Sequence, residues 1–181
     1  MLSIVGGHLA LDLANTVTAD EEFLPDLPAV LAWAQRLEVV TPAEAALVER
    51  APADTFGEVH RLRTLVGETL AGRHLATLTA RWAEAIARSE LCPVPAGGAT
   101  LSVGRDPATM IGDRLTVALA DLLQNADLSL LRTCPACGFR FLDRSRNRSR
   151  RWCSMADCGT NVKVKRLTER RRSTAESRKR R

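Results

Sequence analysis

The chain has 181 residues, enough for one domain or for one domain and a small module. Apolar residues make up 45% of it, which excludes a disordered chain, and no apolar run approaches the roughly 18 residues that a membrane span needs. The net charge of +5 hides a split: residues 1–131 carry nine Lys and Arg against 17 Asp and Glu, and residues 132–181 carry 17 against four. 

The opening "MLSIVGGHLALDLANTV" has no basic flank before its apolar part and carries Asp12, unlike a signal peptide. The expected location is the reducing cytoplasm, with no membrane partner. Residues 7–17 predict a short helix with Leu9, Leu13 and Val17 four apart. His8, Asp12 and Asn15 then share one face and form a candidate ligand pocket for a small-molecule effector. The alternative is structural: Asn15 satisfies helix-end groups and Asp12 pairs with a buried arginine such as Arg61 or Arg63. Asp26 caps a helix with Pro28 in its first turn, and "TPAE" at 41–44 is a capping box that opens a helix to about Arg50. Thr55 and Glu58 repeat the device, and Val59, Leu62, Val66 and Leu70 mark the buried face up to a stop near Gly72. Leu75, Leu78, Trp82 and Ile86 predict the next helix. Residues 92–98 read as a loop, with Cys92 a packing residue, and 99–105 as a short strand. Asp106 caps and Pro107 starts a helix whose face is Ile111, Leu115, Leu119 and Leu122. Scarce aromatics, 4% with no Tyr, suit such an aliphatic helical body.

The composition changes near residues 127–132. The predicted division is a helical domain over 1–128, a four-cysteine zinc finger over 129–173, and a basic tail over 174–181, expected to be disordered. The fold class is therefore mainly α: a helical domain with a short β element, followed by a small treble-clef-like module of β-hairpin and helix. The spacing Cys134-x2-Cys137-x15-Cys153-x4-Cys158 is that of a four-thiolate zinc site. A C-x2-C turn aims two sulfurs at one point, and a hairpin returns the second pair. Two disulfides or free thiols are the alternative. A reducing compartment and a module too small for its own core argue against them. One Zn²⁺ held by four sulfurs has no open position, so its role is structural. "FRFLD" alternates like a strand, the run "RSRNRSR" suits a hairpin loop, and a helix is expected from the second cysteine pair onward.

"FLDRSRNRSRRWCSMADCG" resembles the zinc finger named for a Cys-Gly-Asn-Arg tetrapeptide, and "GGHLALDLANTV" resembles the start of the ABATE domain that usually precedes it. The resemblance implies a bacterial, stress-related transcription regulator that binds DNA through the finger. It also implies zinc ligands at Cys134, Cys137, Cys153 and Cys158. The family's Asn-Arg is here Thr160-Asn161, so the arginine of the naming motif is missing, while the family's lysine matches Lys163.

Helical residues from about Met155 to Arg171 would put Lys163, Arg166 and Arg170 on one face, beside Lys165. Together with Asn161 and with Arg146, Arg148, Arg150 and Arg151 of the preceding run, they are the candidate nucleic-acid contacts. Basic side chains neutralise phosphates, a helix fits the major groove, and Asn or Arg can read base edges. Phe139, Phe141 and Trp152 are expected to pack around the knuckle rather than stack bases, which favours duplex DNA over RNA. A zinc-stabilised adaptor for an acidic protein or RNA is the alternative, and an enzyme using a pocket around Asp12 a weaker one. No nucleophile elbow, H-E-x-x-H, phosphate-binding glycine loop or dinucleotide fingerprint is present, so no enzymatic activity is expected. The body would serve ligand sensing or homodimerisation.

Overall fold

A computed structural model describes residues 2–51 and 53–160, with 164 and 168 beyond them. Six α-helices come first: α1 (Leu9–Ala14), α2 (Leu27–Arg36), α3 (Pro42–Arg50), α4 (Thr55–Leu70), α5 (Leu75–Ala87) and α6 (Met110–Asn125). Between α5 and α6 stands a two-stranded hairpin of β1 (Glu90–Pro93) and β2 (Ala99–Ser102). A 3-10 turn, Leu128–Leu130, leads into a second antiparallel pair, β3 (Leu131–Thr133) and β4 (Arg140–Leu142), and then a single π turn, Met155–Gly159. No described helix is long and apolar enough to cross a membrane.

The helices form where the local signals agree. Asp26 accepts from the Ala29 N–H at 2.8 Å, and Thr41 and Glu44 close a reciprocal capping box at 3.2 and 2.8 Å. α4 and α6 pack as a central pair with α1 lying against both; α5 packs on α6, and α2 on α3 and α4. Val59, Leu62 and Val66 of α4 and Ile111, Leu115, Leu119 and Leu122 of α6 are buried, together with Leu11 and Leu13 of α1. These are the aliphatic side chains that helical periodicity selects.

Several elements differ from expectation. α1 covers only residues 9–14, because the His8 side chain caps it and Gly7 reverses the chain at φ +73°. The cap of α4 is Asp54, which binds the Gly57 N–H at 2.9 Å, while Thr55 is buried. Asp106 shapes a separate turn, taking the Ala108 N–H at 2.9 Å, so α6 begins four residues later. Cys92 and Pro93 belong to strand β1, with Cys92 paired to Thr100. On α5 the buried residues are Leu78 and Ala85, and Leu75 and Ile86 face out. That helix touches the body along one narrow line, so packing chose a narrower stripe than apolarity alone offers.

Candidate metal centre

The first cysteine pair sits in the turn of the β3–β4 hairpin. The Cys134 N–H binds the Phe139 carbonyl at 2.8 Å, and the Gly138 N–H returns to the Cys134 carbonyl at 2.9 Å. Gly138 holds φ +79°, which a side chain rarely tolerates. The arginine run is therefore not the hairpin loop. It is the connection that follows β4 and carries the chain back to the second pair. The π turn finishes the site. Ser154 caps it by accepting from the Asp157 N–H at 3.2 Å, and the Gly159 N–H reaches the Ser154 carbonyl at 3.0 Å. A Cβ on Gly159 would lie 2.9 Å from the Met155 sulfur and 3.3 Å from the Trp152 ring, so a larger residue here would have to push the exposed Met155 side chain aside.

The four sulfurs lie within 4.8 Å of one another, with Cys137–Cys153 at 3.4 Å and Cys153–Cys158 at 3.6 Å. A disulfide would need about 2.05 Å. A tetrahedron of Zn–S bonds near 2.3 Å has edges of about 3.8 Å, so the spacing fits zinc and not a sulfur–sulfur bond. The donor chemistry agrees. Burial resists ionisation of Cys134, yet the N–H groups of Cys153, Ala136 and Cys137 bring it down to about 7. Burial and the neighbouring thiols push Cys153 up; burial and the Cys137 thiol push Cys158 up to about 12. Thiols this crowded ionise together only when a cation shares their charge. Cys134, Cys137, Cys153 and Cys158 form a binding site for one structural zinc.

Aromatics complete the small core. Phe141 and Phe139 are buried beside Cys134 and Cys153, with Trp152 partly covered. The packing does not stop at the module: Leu2, Val5 and Phe23 of the helical body close over it, Phe23 meeting Phe139 edge to face. Three hydrogen bonds to the module's backbone lock this docking, two of them from the Asn15 side chain. The Leu142 N–H binds the Gly6 carbonyl at 3.0 Å, and the Asn15 amide takes the Arg140 N–H at 2.7 Å and gives to the Arg140 carbonyl at 2.8 Å.

That bond settles the work of Asn15. Its supposed companions are also engaged. Asp12 is buried and accepts from the Val5 and Gly6 N–H groups at 3.0 and 2.8 Å, and burial pushes its carboxyl above the ordinary value against those two bonds. Among the described residues no arginine reaches it: Arg63 is bound to Glu22 at 2.7 Å and Arg61 to Asp54 at 3.1 Å. His8 holds Asp121 of α6 at 3.0 Å. The three side chains pin neighbouring segments in three directions instead of converging on a pocket.

Among the candidate nucleic-acid contacts, Arg146, Arg148 and Arg151 are exposed, as is Arg144. Arg150 is turned inward. Its guanidinium lies 4.6 Å over Phe141 and donates to the Trp152 carbonyl at 2.9 Å and to the Cys153 carbonyl. It braces the second cysteine pair, which removes it from the candidate surface. Asn161, Lys163, Lys165, Arg166 and Arg170 lie outside the described residues. Sequence reading missed Asp143. Wholly buried, it gathers the Ser145 N–H and hydroxyl at 3.0 and 2.6 Å and the Arg150 N–H at 2.8 Å. The Ser145 hydroxyl, its N–H, the Arg150 N–H and the nearby Arg132 charge outweigh burial and hold its carboxyl below the usual range. The Asp-x-Ser signature of an Asx turn could have revealed it.

A family model for the CGNR zinc finger matches residues 131–171, a span that starts at β3 and takes in all four cysteines. A search of curated proteins returns no match to the chain.

Proposed function

We propose that the chain binds duplex DNA through its zinc module and regulates transcription, with an ABATE-type helical body holding the module in the bacterial cytoplasm and a stress signal setting its activity. One observation carries the reading. Arg144, Arg146, Arg148 and Arg151 are exposed and make no ion pair among the described residues, on a segment fixed at Asp143 and at the zinc ligand Cys153. Asp127 lies near enough to Arg148 to feel its charge, but none of the four is held in an ion pair among the described residues, so phosphate is a chemistry they suit. The closed metal site supplies rigidity, and the reading gives the chain no reaction to catalyse.

Fluorescence anisotropy of a labelled duplex, titrated with zinc-loaded protein across a salt series, tests it. Binding should weaken with salt at a logarithmic slope of about −0.9 per phosphate contacted. The triple variant Arg146→Gln, Arg148→Gln, Arg151→Gln should flatten that slope by about two to three. An absence of binding at about 50 mM salt overturns the proposal, because the electrostatic part of any DNA complex is strongest there. Tighter binding to single-stranded RNA, or co-purification of an acidic protein with no DNA affinity, would move the assignment to the adaptor reading.

A further inference from the structure

Between the helical body and the zinc knuckle lies an open cleft of about 880 Å³, within the size range of small-molecule sites. One wall is the end of α1, the following loop and α4; the other is the knuckle, residues 136–140. Two arginines enter it, in different states. Arg63 is neutralised by a two-point pair with Glu22 at 2.7 Å and also binds Thr16. The guanidinium of Arg140 makes no hydrogen bond or ion pair among the described residues, although the residue is partly buried. It rests on α4 beside Gly67, with Nη1 3.4 Å from where a Cβ would stand. Gly in mid-helix costs roughly 1 kcal/mol relative to Ala, so α4 forgoes stability where the guanidinium lies.

The rest of the lining narrows the ligand. Asp20 and Glu21 face the same cleft and make no ion pair among the described residues. With Arg63 already balanced, the free charges are one cation and two anions. A phosphate dianion would gain one guanidinium and meet two carboxylates. A molecule with one carboxylate and one ammonium satisfies both signs. Ala14, Ala19 and Ala136 leave room for a short apolar body between the charged ends.

We propose that this cleft binds a small zwitterionic amino-carboxylate, its carboxylate on the Arg140 guanidinium and its ammonium toward Asp20 and Glu21. Because Cys137 and Gly138 form part of the wall, the ligand touches the zinc knuckle directly. The proposal is independent of nucleic-acid binding and is tested without DNA.

The probes are 4-aminobutyrate, butyrate and inorganic phosphate, titrated into the zinc-loaded full chain. The readouts are calorimetry and the ¹⁵N–¹H signals of the Arg140 Nε–H and of the Gly67 and Gly138 amides. 4-Aminobutyrate should bind with a Kd below about 1 mM and shift all three signals, and butyrate should bind at least about tenfold more weakly. Arg140→Gln should lose at least about tenfold in affinity with zinc content unchanged, since the guanidinium holds no other group among the described residues. Gly67→Leu, on the opposite wall, should fill the cleft and give the same loss if the first variant folds poorly. Butyrate or phosphate binding as tightly as 4-aminobutyrate overturns the assigned chemistry. No binding of 4-aminobutyrate up to about 10 mM, or binding that both variants leave intact, overturns the site.

Discussion

The helical body and the zinc module solve the same problem with different materials. The body buries a continuous set of Leu, Val and Ile from α1, α4 and α6. The module has two buried phenylalanines and four sulfurs for a core, too little apolar surface to hold a fold of its size. Its order depends on a metal and on the body's Leu2, Val5 and Phe23 pressed against it. A basic segment is thus held still without a large core, which leaves its arginines on the surface.

The sharpest way to test that contrast is to remove the metal. Apparent zinc affinities in finger peptides are about 10–16 kcal/mol, so chelation or Cys137→Ser should unfold residues from β3 onward while α2 to α6 keep their helical signal. Limited proteolysis with circular dichroism reads both halves at once; a parallel loss of all helix would show that the two regions are one cooperative unit. Next, Phe141→Ala empties the centre of the module and removes the Arg150 cation's platform. A loss of about 3–5 kcal/mol is expected, seen as a lower denaturant midpoint.

Asn15→Leu attacks the joint instead. It strips the Arg140 N–H and carbonyl of their partners, and a cost of about 2–4 kcal/mol is expected. Hydrogen exchange at β4 should rise more than exchange in α6. Within the body, Arg114 binds Glu44 at 2.6 Å and holds that carboxyl down at about 2, against burial. A depressed folded value means stability that is present above the unfolded value near 4.5 and is lost as pH falls toward about 2. Partial exposure discounts the effect to about 2 kcal/mol, and Glu44→Gln should flatten the acid limb of a pH–stability curve. The smallest effect belongs to Arg146→Gln, which should change stability by less than about 0.5 kcal/mol yet reduce the DNA salt slope by about 1.

Much of this was legible in the residues. Capping signatures placed α2 and α3, 3.6-residue periodicity placed the buried faces of α4 and α6 although their caps lie elsewhere, and the C-x2-C and C-x4-C pairs named the metal ligands. These signals are local: a cap reads three residues and a knuckle four, so chain sequence contains all the geometry. The polar stripe of His8, Asp12 and Asn15 marks the limit. Its spacing is equally consistent with a pocket and with three separate anchors, because periodicity fixes a face and not the neighbour that meets it.

By itself, then, the sequence determined the helical character, the acidic body, the basic end and the four thiolates, each a property of composition or short-range spacing. Only the tertiary structure decided that the knuckle docks on α1 through Asn15 and Gly6, that Arg150 braces the cysteines while its neighbours face solvent, and that Arg140 lies in a cleft with no ion pair among the described residues. The docking joins residues more than a hundred positions apart and follows from how the two cores close on each other, which no local pattern records; the inward turn of Arg150 is short in sequence but depends on Phe141 being buried beneath it.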